Sequence, residues 1–260
     1  MNLSLEGKRA LVCGGSQGIG LAAAIELAAL GASVTLVARN EGRLKSAREA
    51  LPGNGDHDYI STDFANPQLL KEKIDKHFAG KGVVHILVNN TGGPPGGPIT
   101  EAQTDEFLNA FTNHLLCNHI LVQAVMAGMK QSGYGRIINI ISTSVKQPLK
   151  GLGVSNTIRA AVANWAKTLS LELAPFGITV NNVLPGATKT QRLSSLIEAK
   201  SVKTGHPIES LEQEMKAEIP MARFAEPAEV AAAVAFLASP AAAYISGINV
   251  PVDGGRTGCL

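Results

Sequence analysis

The sequence predicts a doubly wound α/β fold, a seven-stranded parallel sheet with helices on both faces. Three observations carry this expectation. Short β-branched runs alternate with longer stretches of helical periodicity along the whole chain. A glycine-rich turn separates the first such run from the first helical stretch. No internal repeat or composition shift divides the 260 residues, and one α/β domain of this length buries a large core, so residues 1–260 read as a single unit.

The runs Arg9–Cys13, Ser33–Ala38, Asp58–Thr62, His85–Asn89, Arg136–Ile141, Thr179–Leu184 and Asn249–Val252 read as strands. Helical stretches fall near Gly18–Leu30, Glu41–Ala50, Pro67–Phe78, Thr104–Gln131, Ser155–Ala174 and Pro227–Leu237. A helix thus separates most successive strands, which makes the strands parallel and directs ligands to the loops at their carboxyl ends. Two of those loops depart from the regular alternation. Thr91–Pro98 is a Gly/Pro-rich turn, and Thr188–Pro220 is polar, weakly helical and too long for a simple connection, so it is a candidate substrate lid.

Composition narrows the function. With 45% apolar residues, 17% charged residues and a net charge of +2, the chain has neither the like-charge block of a nucleic-acid arm nor that of a membrane-surface patch. Met1–Ala10 carries Glu6, Lys8 and Arg9 and no apolar run, so no secretory leader is expected there, and Val230–Ala238 is too short to span a bilayer. The three cysteines, Cys13, Cys117 and Cys259, lack metal-ligand or redox spacing and read as reduced and structural. A cytoplasmic protein acting on a small molecule, with no nucleic-acid or membrane partner and no metal, is the expectation.

The chemistry starts at Gly14-Gly15-Ser16-Gln17-Gly18-Ile19-Gly20, a strand-to-helix turn with GxxxGxG spacing. Glycines allow a sharp turn and a close approach of backbone to a pyrophosphate, while the following helix start offers unpaired N–H groups and partial positive charge. Gly14, Ser16, Gln17, Gly18, Ile19 and Gly20 are therefore candidate cofactor ligands. The second strand ends Ala38-Arg39-Asn40 with no carboxylate to accept ribose hydroxyls, and the Arg39 guanidinium suits a phosphate, so NADP(H) is favoured over NAD(H).

Further motifs follow: Asp63 after the third strand, Asn89-Asn90-Thr91-Gly92, Gly135–Ser142, Asn181-Asn182-Val183-Leu184-Pro185-Gly186, and Gly247 through Asp253-Gly254-Gly255. With these the chain resembles, end to end, the short-chain dehydrogenase/reductase family and its 3-oxoacyl-carrier-protein reductases, which have a Rossmann-type fold. The resemblance implies that Asp63 contacts adenine, that Asn90 and Gly92 border the ribose, and that Pro185, Gly186, Thr188 and Thr190 hold the nicotinamide carboxamide. It also implies a homotetramer or homodimer assembled through helices near Leu115–Met129 and Ala160–Leu173. Cys13 stands where the family usually has threonine, and Thr91 where it has alanine.

The same resemblance implies a serine, tyrosine and lysine as the catalytic set. Ser142 matches the serine, but family spacing places Ser155 at the tyrosine and Arg159 at the lysine. The tyrosines, Tyr59, Tyr134 and Tyr244, all lie outside the segment from Ser142 to Ala174, and Tyr134 precedes its strand, at the wrong end of the sheet. His114, or with a one-residue slip Asn113, takes the place of the family asparagine. An aliphatic hydroxyl is a poor acid and arginine keeps its proton, so His114 is the best replacement acid, with Ser142 and Arg159 steadying negative charge and Arg159 able to bind ribose. Two readings stand: an NADP(H)-dependent reductase acting on a small carbonyl or alcohol substrate with an altered acid/base set, or an NADP(H)-binding pseudoenzyme.

Overall fold

A computed structural model describes residues 1–259. Its strands are β1 (Arg9–Cys13), β2 (Ser33–Ala38), β3 (Asp58–Ser61), β4 (Ile86–Asn89), β5 (Gly135–Ile140), β6 (Ile178–Pro185) and β7 (Asn249–Val252). They form one parallel sheet in the order β3-β2-β1-β4-β5-β6-β7, as the alternation predicts. Because the chain winds outward from β1 to β3 and then crosses to β4, the switch point lies between β1 and β4. A crevice opens there at the carboxyl ends of the strands.

Successive residues of β1 explain the two layers. Ala10 and Val12 point into a core shared with α1 (Gly18–Ala29), α2 (Glu41–Glu49) and α9 (Pro227–Ala238). Leu11 and Cys13 point the other way, into a core shared with α3 (Pro67–Phe78), α5 (Cys117–Ser132) and α6 (Gly153–Leu173). Cys13 and Cys117 are buried, whereas Cys259 is exposed, so the reading of all three cysteines as structural holds for the first two only. No helix is long and apolar enough to cross a membrane among the described residues.

Two segments differ from the sequence reading. The stretch expected as one helix over Thr104–Gln131 is α4 (Thr104–Phe111), a π-turn over Thr112–Leu116, and α5; a π-turn holds one extra residue, which hydrophobic periodicity alone does not reveal. The stretch expected to be weakly helical contains α7 (Gln191–Thr204) and α8 (Ile208–Ala217). These helices have their own small core of Ile197, Leu211, Ile219 and Phe224, whose wide spacing hides them in a polar sequence.

The register of β4 to β7 is held by a row of asparagines. Asn89, Asn139, Asn182 and Asn249 are direct partners across four strands. Asn89 Nδ2 donates to Asn139 Oδ1 (2.8 Å), Asn139 Nδ2 to Asn182 Oδ1 (2.9 Å), and Asn182 Nδ2 to Asn249 Oδ1 (2.8 Å). At the opposite end of the sheet, the Tyr134 hydroxyl donates to the Ala238 carbonyl (2.7 Å), and its ring lies 4.1 Å from both Lys8 Nζ and the Arg136 guanidinium carbon. Tyr134 is thus remote from the crevice.

Asn139→Ala removes two of the three links of the row and orphans Asn89 Nδ2 and Asn182 Oδ1 inside the core. At about 1–3 kcal/mol per orphaned group, it should lower stability by about 2–6 kcal/mol, read as a reduced urea midpoint at constant m. Asn249→Ala, at the partly exposed end of the row, should cost less in the same measurement.

Candidate active site

The crevice at the switch point is a cleft of about 1100 Å³, floored by the glycine turn and bounded by the loops after β4, β5 and β6. Gly14 has φ +60°, and a Cβ there would sit 2.5 Å from Asn90 Nδ2. A Cβ on Gly20 would sit 2.2 Å from the Gly14 carbonyl oxygen. The turn therefore packs too tightly for side chains, while Asn90 Nδ2 donates to the Cys13 carbonyl (3.2 Å) and ties β4 to β1. Helix α1 begins with no side-chain cap and no acidic residue in its first turn, so its first N–H groups face the cleft without a protein partner. This cradle fits a pyrophosphate.

Arg39 is exposed at the end of β2 and lines the same cleft, as do Ser16, Gln17, Gly18 and Ile19 from the turn. Asp63, Asn90 and Gly92 line the adjoining walls. On the far side, Pro185, Gly186, Thr188 and Thr190 line the path from β6 into α7. The Thr188 hydroxyl donates to the Gly186 carbonyl (3.1 Å), and Thr190 caps α7 by accepting from the Leu193 N–H (3.4 Å). The cofactor-contact residues expected from sequence thus border one cavity, except Gly20, which is buried against the Gly14 carbonyl behind the turn.

Ser142, Ser155, Arg159, Asn113 and His114 border it too. Ser142 follows β5, its hydroxyl oxygen accepting from the Ser144 N–H (3.1 Å). Ser155 and Arg159 lie one turn apart on α6, both buried. Arg159 Nη1 donates to the carbonyl of Ile140 at the end of β5 (3.0 Å), and its Nε has no partner among the described residues. Burial and then the nearby Arg192 charge lower the Arg159 pKa to about 10, so it remains a cation at neutral pH.

His114 requires a correction. Its Nδ1 lies 2.6 Å from the Thr91 hydroxyl oxygen, and the ring is 3% exposed. Burial first, then the charges of Arg159 and Arg192, push its pKa down to about 2. The expectation that it titrates near neutrality therefore fails: a proton on this ring would be a third positive charge in a cavity that already holds two. The alternatives Asn113 and His114 meet in the π-turn, which brings both to the cleft, and Asn113 Oδ1 is buried without a partner.

Two arginines escaped the sequence reading. Arg43, in the first turn of α2, lines the cleft near Arg39 and donates from Nη1 to Gln17 Oε1 (2.6 Å). Its signal is the spacing of four from Arg39 across a strand-to-helix junction. Arg192, in the first turn of α7, lines the cleft and donates from Nη2 to the Pro94 carbonyl. Nothing in the sequence brings residue 192 against residue 94.

With this geometry in hand, comparison with known proteins gives a consistent result. The family described as enoyl-(acyl carrier protein) reductase matches residues 14–257. The 3-oxoacyl-[acyl-carrier-protein] reductase of Vibrio cholerae is 34% identical over 97% of this chain and 98% of its own length. The NADPH-dependent reductase BacG of Bacillus subtilis is 30% identical over 95% of this chain and 97% of its own. The crystal structure of L-sorbose reductase from Gluconobacter frateurii, complexed with NADPH and L-sorbose, superposes with a TM-score of 0.93 at 31% identity and full coverage of both chains. The glycine turn, the sheet order and these end-to-end matches agree, and the chain belongs to the short-chain dehydrogenase/reductase family, resembling its 3-oxoacyl-carrier-protein reductases.

Proposed function

We propose that this protein is an NADP(H)-dependent reductase that converts a small-molecule carbonyl to an alcohol with a fixed-charge site in place of the family's phenol and ammonium. The observation that carries this reading is the single cleft shared by the uncapped start of α1, the Arg39 and Arg43 cations, and the buried, charged Arg159 beside Ser142 and Ser155. NADP(H) is the cofactor, matching BacG and the NADPH complex of L-sorbose reductase. When bound, it supplies the hydride.

The chain's residues hold and polarise. Gly14 to Gly20 and the α1 N–H groups hold the pyrophosphate, Arg39 and Arg43 the ribose phosphate, Asp63 the adenine, and Asn90 and Gly92 the ribose. Pro185 to Thr190 hold the carboxamide. Ser142 and Ser155 offer hydroxyls to the substrate oxygen, and Arg159 stabilises the negative charge that grows there and can also reach the ribose. Neither Arg159 nor His114 can deliver a proton at neutral pH, the first because it keeps its own and the second because it has none to spare, so water entering the cleft protonates the alkoxide. The segment Thr188–Pro220, with α7 and α8, acts as the lid. Assembly as a homodimer or homotetramer would cover Leu116, Leu171 and Phe176, which lie exposed on and beside α5 and α6.

The direct test is a fluorescence titration with NADPH and NADH, followed by turnover on a panel of 3-oxoacyl thioesters, diketones and quinones. NADPH consumption supports the reductase. Tight NADPH binding with a silent panel points instead to a binding or regulatory protein. NADPH should bind more tightly than NADH, and Arg39→Asp should reverse that order. Ser155→Tyr combined with Arg159→Lys should create or raise carbonyl reduction more than the two single changes together, because the phenol needs the ammonium to lower its pKa; steady-state kinetics on all four proteins reads the coupling.

His114 also sets a pH dependence of stability. Its pKa falls from 6.5 to about 2 on folding, so its contribution is complete above pH 6.5 and is lost progressively as pH falls toward 2, the unfolded chain binding the proton first. Between pH 7 and pH 5 this single group should cost about 2 kcal/mol. His114→Gln should lose correspondingly less over that interval, as read by urea unfolding at both pH values.

A further inference from the structure

We propose that Arg192 makes this site selective for substrates that carry a carboxylate, which the guanidinium binds at the mouth of the cleft while the carbonyl lies over Ser142 and Arg159. The inference rests on the reductase reading for the position of the carbonyl and goes beyond it in naming the substrate class.

Besides Arg39 and Arg43, four cationic side chains line the cleft, and they differ in how they are engaged. Lys189 pairs with Glu226 and Arg256 with Glu218, so their charges are already met at the rim. Arg192 and Arg159 have no carboxylate among the charges acting on them. The only protein bond of the Arg192 guanidinium among the described residues is the one from Nη2 to the Pro94 carbonyl, which leaves most of its five N–H donors unused. Glu106, which lines the cleft with Asp63, serves α4: one of its carboxylate oxygens accepts from the Gln103 N–H at 2.8 Å.

The position of Arg192 is held from both sides. A Cβ on Gly93 would lie 3.4 Å from Arg192 Nε and Nη2, at van der Waals contact, so the guanidinium packs against the loop at Gly93. The following Pro94-Pro95 pair stiffens that loop. Arg192 is half-buried, which takes it out of bulk water and strengthens its attraction for an anion relative to a surface arginine. Arg159, deeper in the same cleft, adds a second positive charge whose Nε has no partner among the described residues. Two cations and a neutral imidazole outweigh the one carboxylate, Glu106, at the substrate end of the cavity, which is therefore net positive, and a guanidinium fork matches a carboxylate with two parallel hydrogen bonds. A neutral ketone would leave that charge unmet.

The test uses matched pairs, 2-oxohexanoate and 5-oxohexanoate with their methyl esters, binding to the NADPH-loaded protein and followed by the fluorescence of the bound cofactor, so that no turnover is needed. At least one acid should bind about tenfold to a hundredfold more tightly than its ester, the range expected for a charge-assisted contact. Arg192→Met should abolish that discrimination and Arg192→Lys restore part of it, with the NADPH dissociation constant unchanged in both. The proposal is overturned if neither acid binds more tightly than its ester, or if Arg192→Met weakens NADPH itself, which would make Arg192 a cofactor ligand. Acid-selective binding without turnover would leave this inference standing and sink the reductase reading; turnover of acids and esters alike would do the reverse.

Discussion

The geometry of the cleft depends on the buried row of four asparagines. Three of its four strands run on into residues of the site: Asn89 into Asn90 and Thr91, Asn139 into Ser142, and Asn182 into Pro185 and Gly186. A parallel ladder of valines and isoleucines fixes which face a side chain takes but tolerates lengthwise sliding, and a slip of one residue would turn every side chain to the other face. Amides bonded end to end across neighbouring strands permit one alignment only. Asn90 extends the constraint to β1 through the Cys13 carbonyl, where the crowding of Gly14 and Gly20 leaves no room for adjustment.

On this frame stands a cavity governed by permanent charge. In the family pattern a phenol moves a proton under the influence of an ammonium. Here the group one turn along α6 from Ser155 is a buried guanidinium, and the His114 imidazole is kept neutral first by burial and then by the charges of Arg159 and Arg192. Thr91 and His114 touch one another, so the threonine hydroxyl satisfies the buried ring.

Much of this was legible in the chain. The seven strands follow from β-branched alternation, and the switch point follows from their order with the helices between. The glycine turn announces its ligand because glycines at this spacing between a strand and a helix start make the setting a pyrophosphate needs. Properties that arise from folding were not legible. The reference pKa of histidine suggested an acid at position 114, and only burial between Arg159 and Arg192 reverses that. Arg192 looked like one more polar residue in a polar segment, because its meaning comes from a loop almost a hundred residues away. The small core beneath α7 and α8 was similarly hidden, since Ile197, Leu211, Ile219 and Phe224 sit too far apart to form a periodic pattern.

The π-turn at Thr112–Leu116 has a structural consequence of its own. It works as an angular offset between two helices that would otherwise share one continuous screw: α4 packs Phe107 and Ala110 against Val154 and Ile158 of α6, while α5 inserts Leu121, Val125 and Met129 beneath the sheet. An α-helix advances about 100° per residue, so losing a single residue here would rotate one helix by that angle against the other and withdraw one of the two apolar faces from its neighbour. The offset makes this short stretch intolerant of a change in length. Asn113 and His114 occupy it, so the same turn that aims the two helices also sets which polar side chains reach the cleft wall.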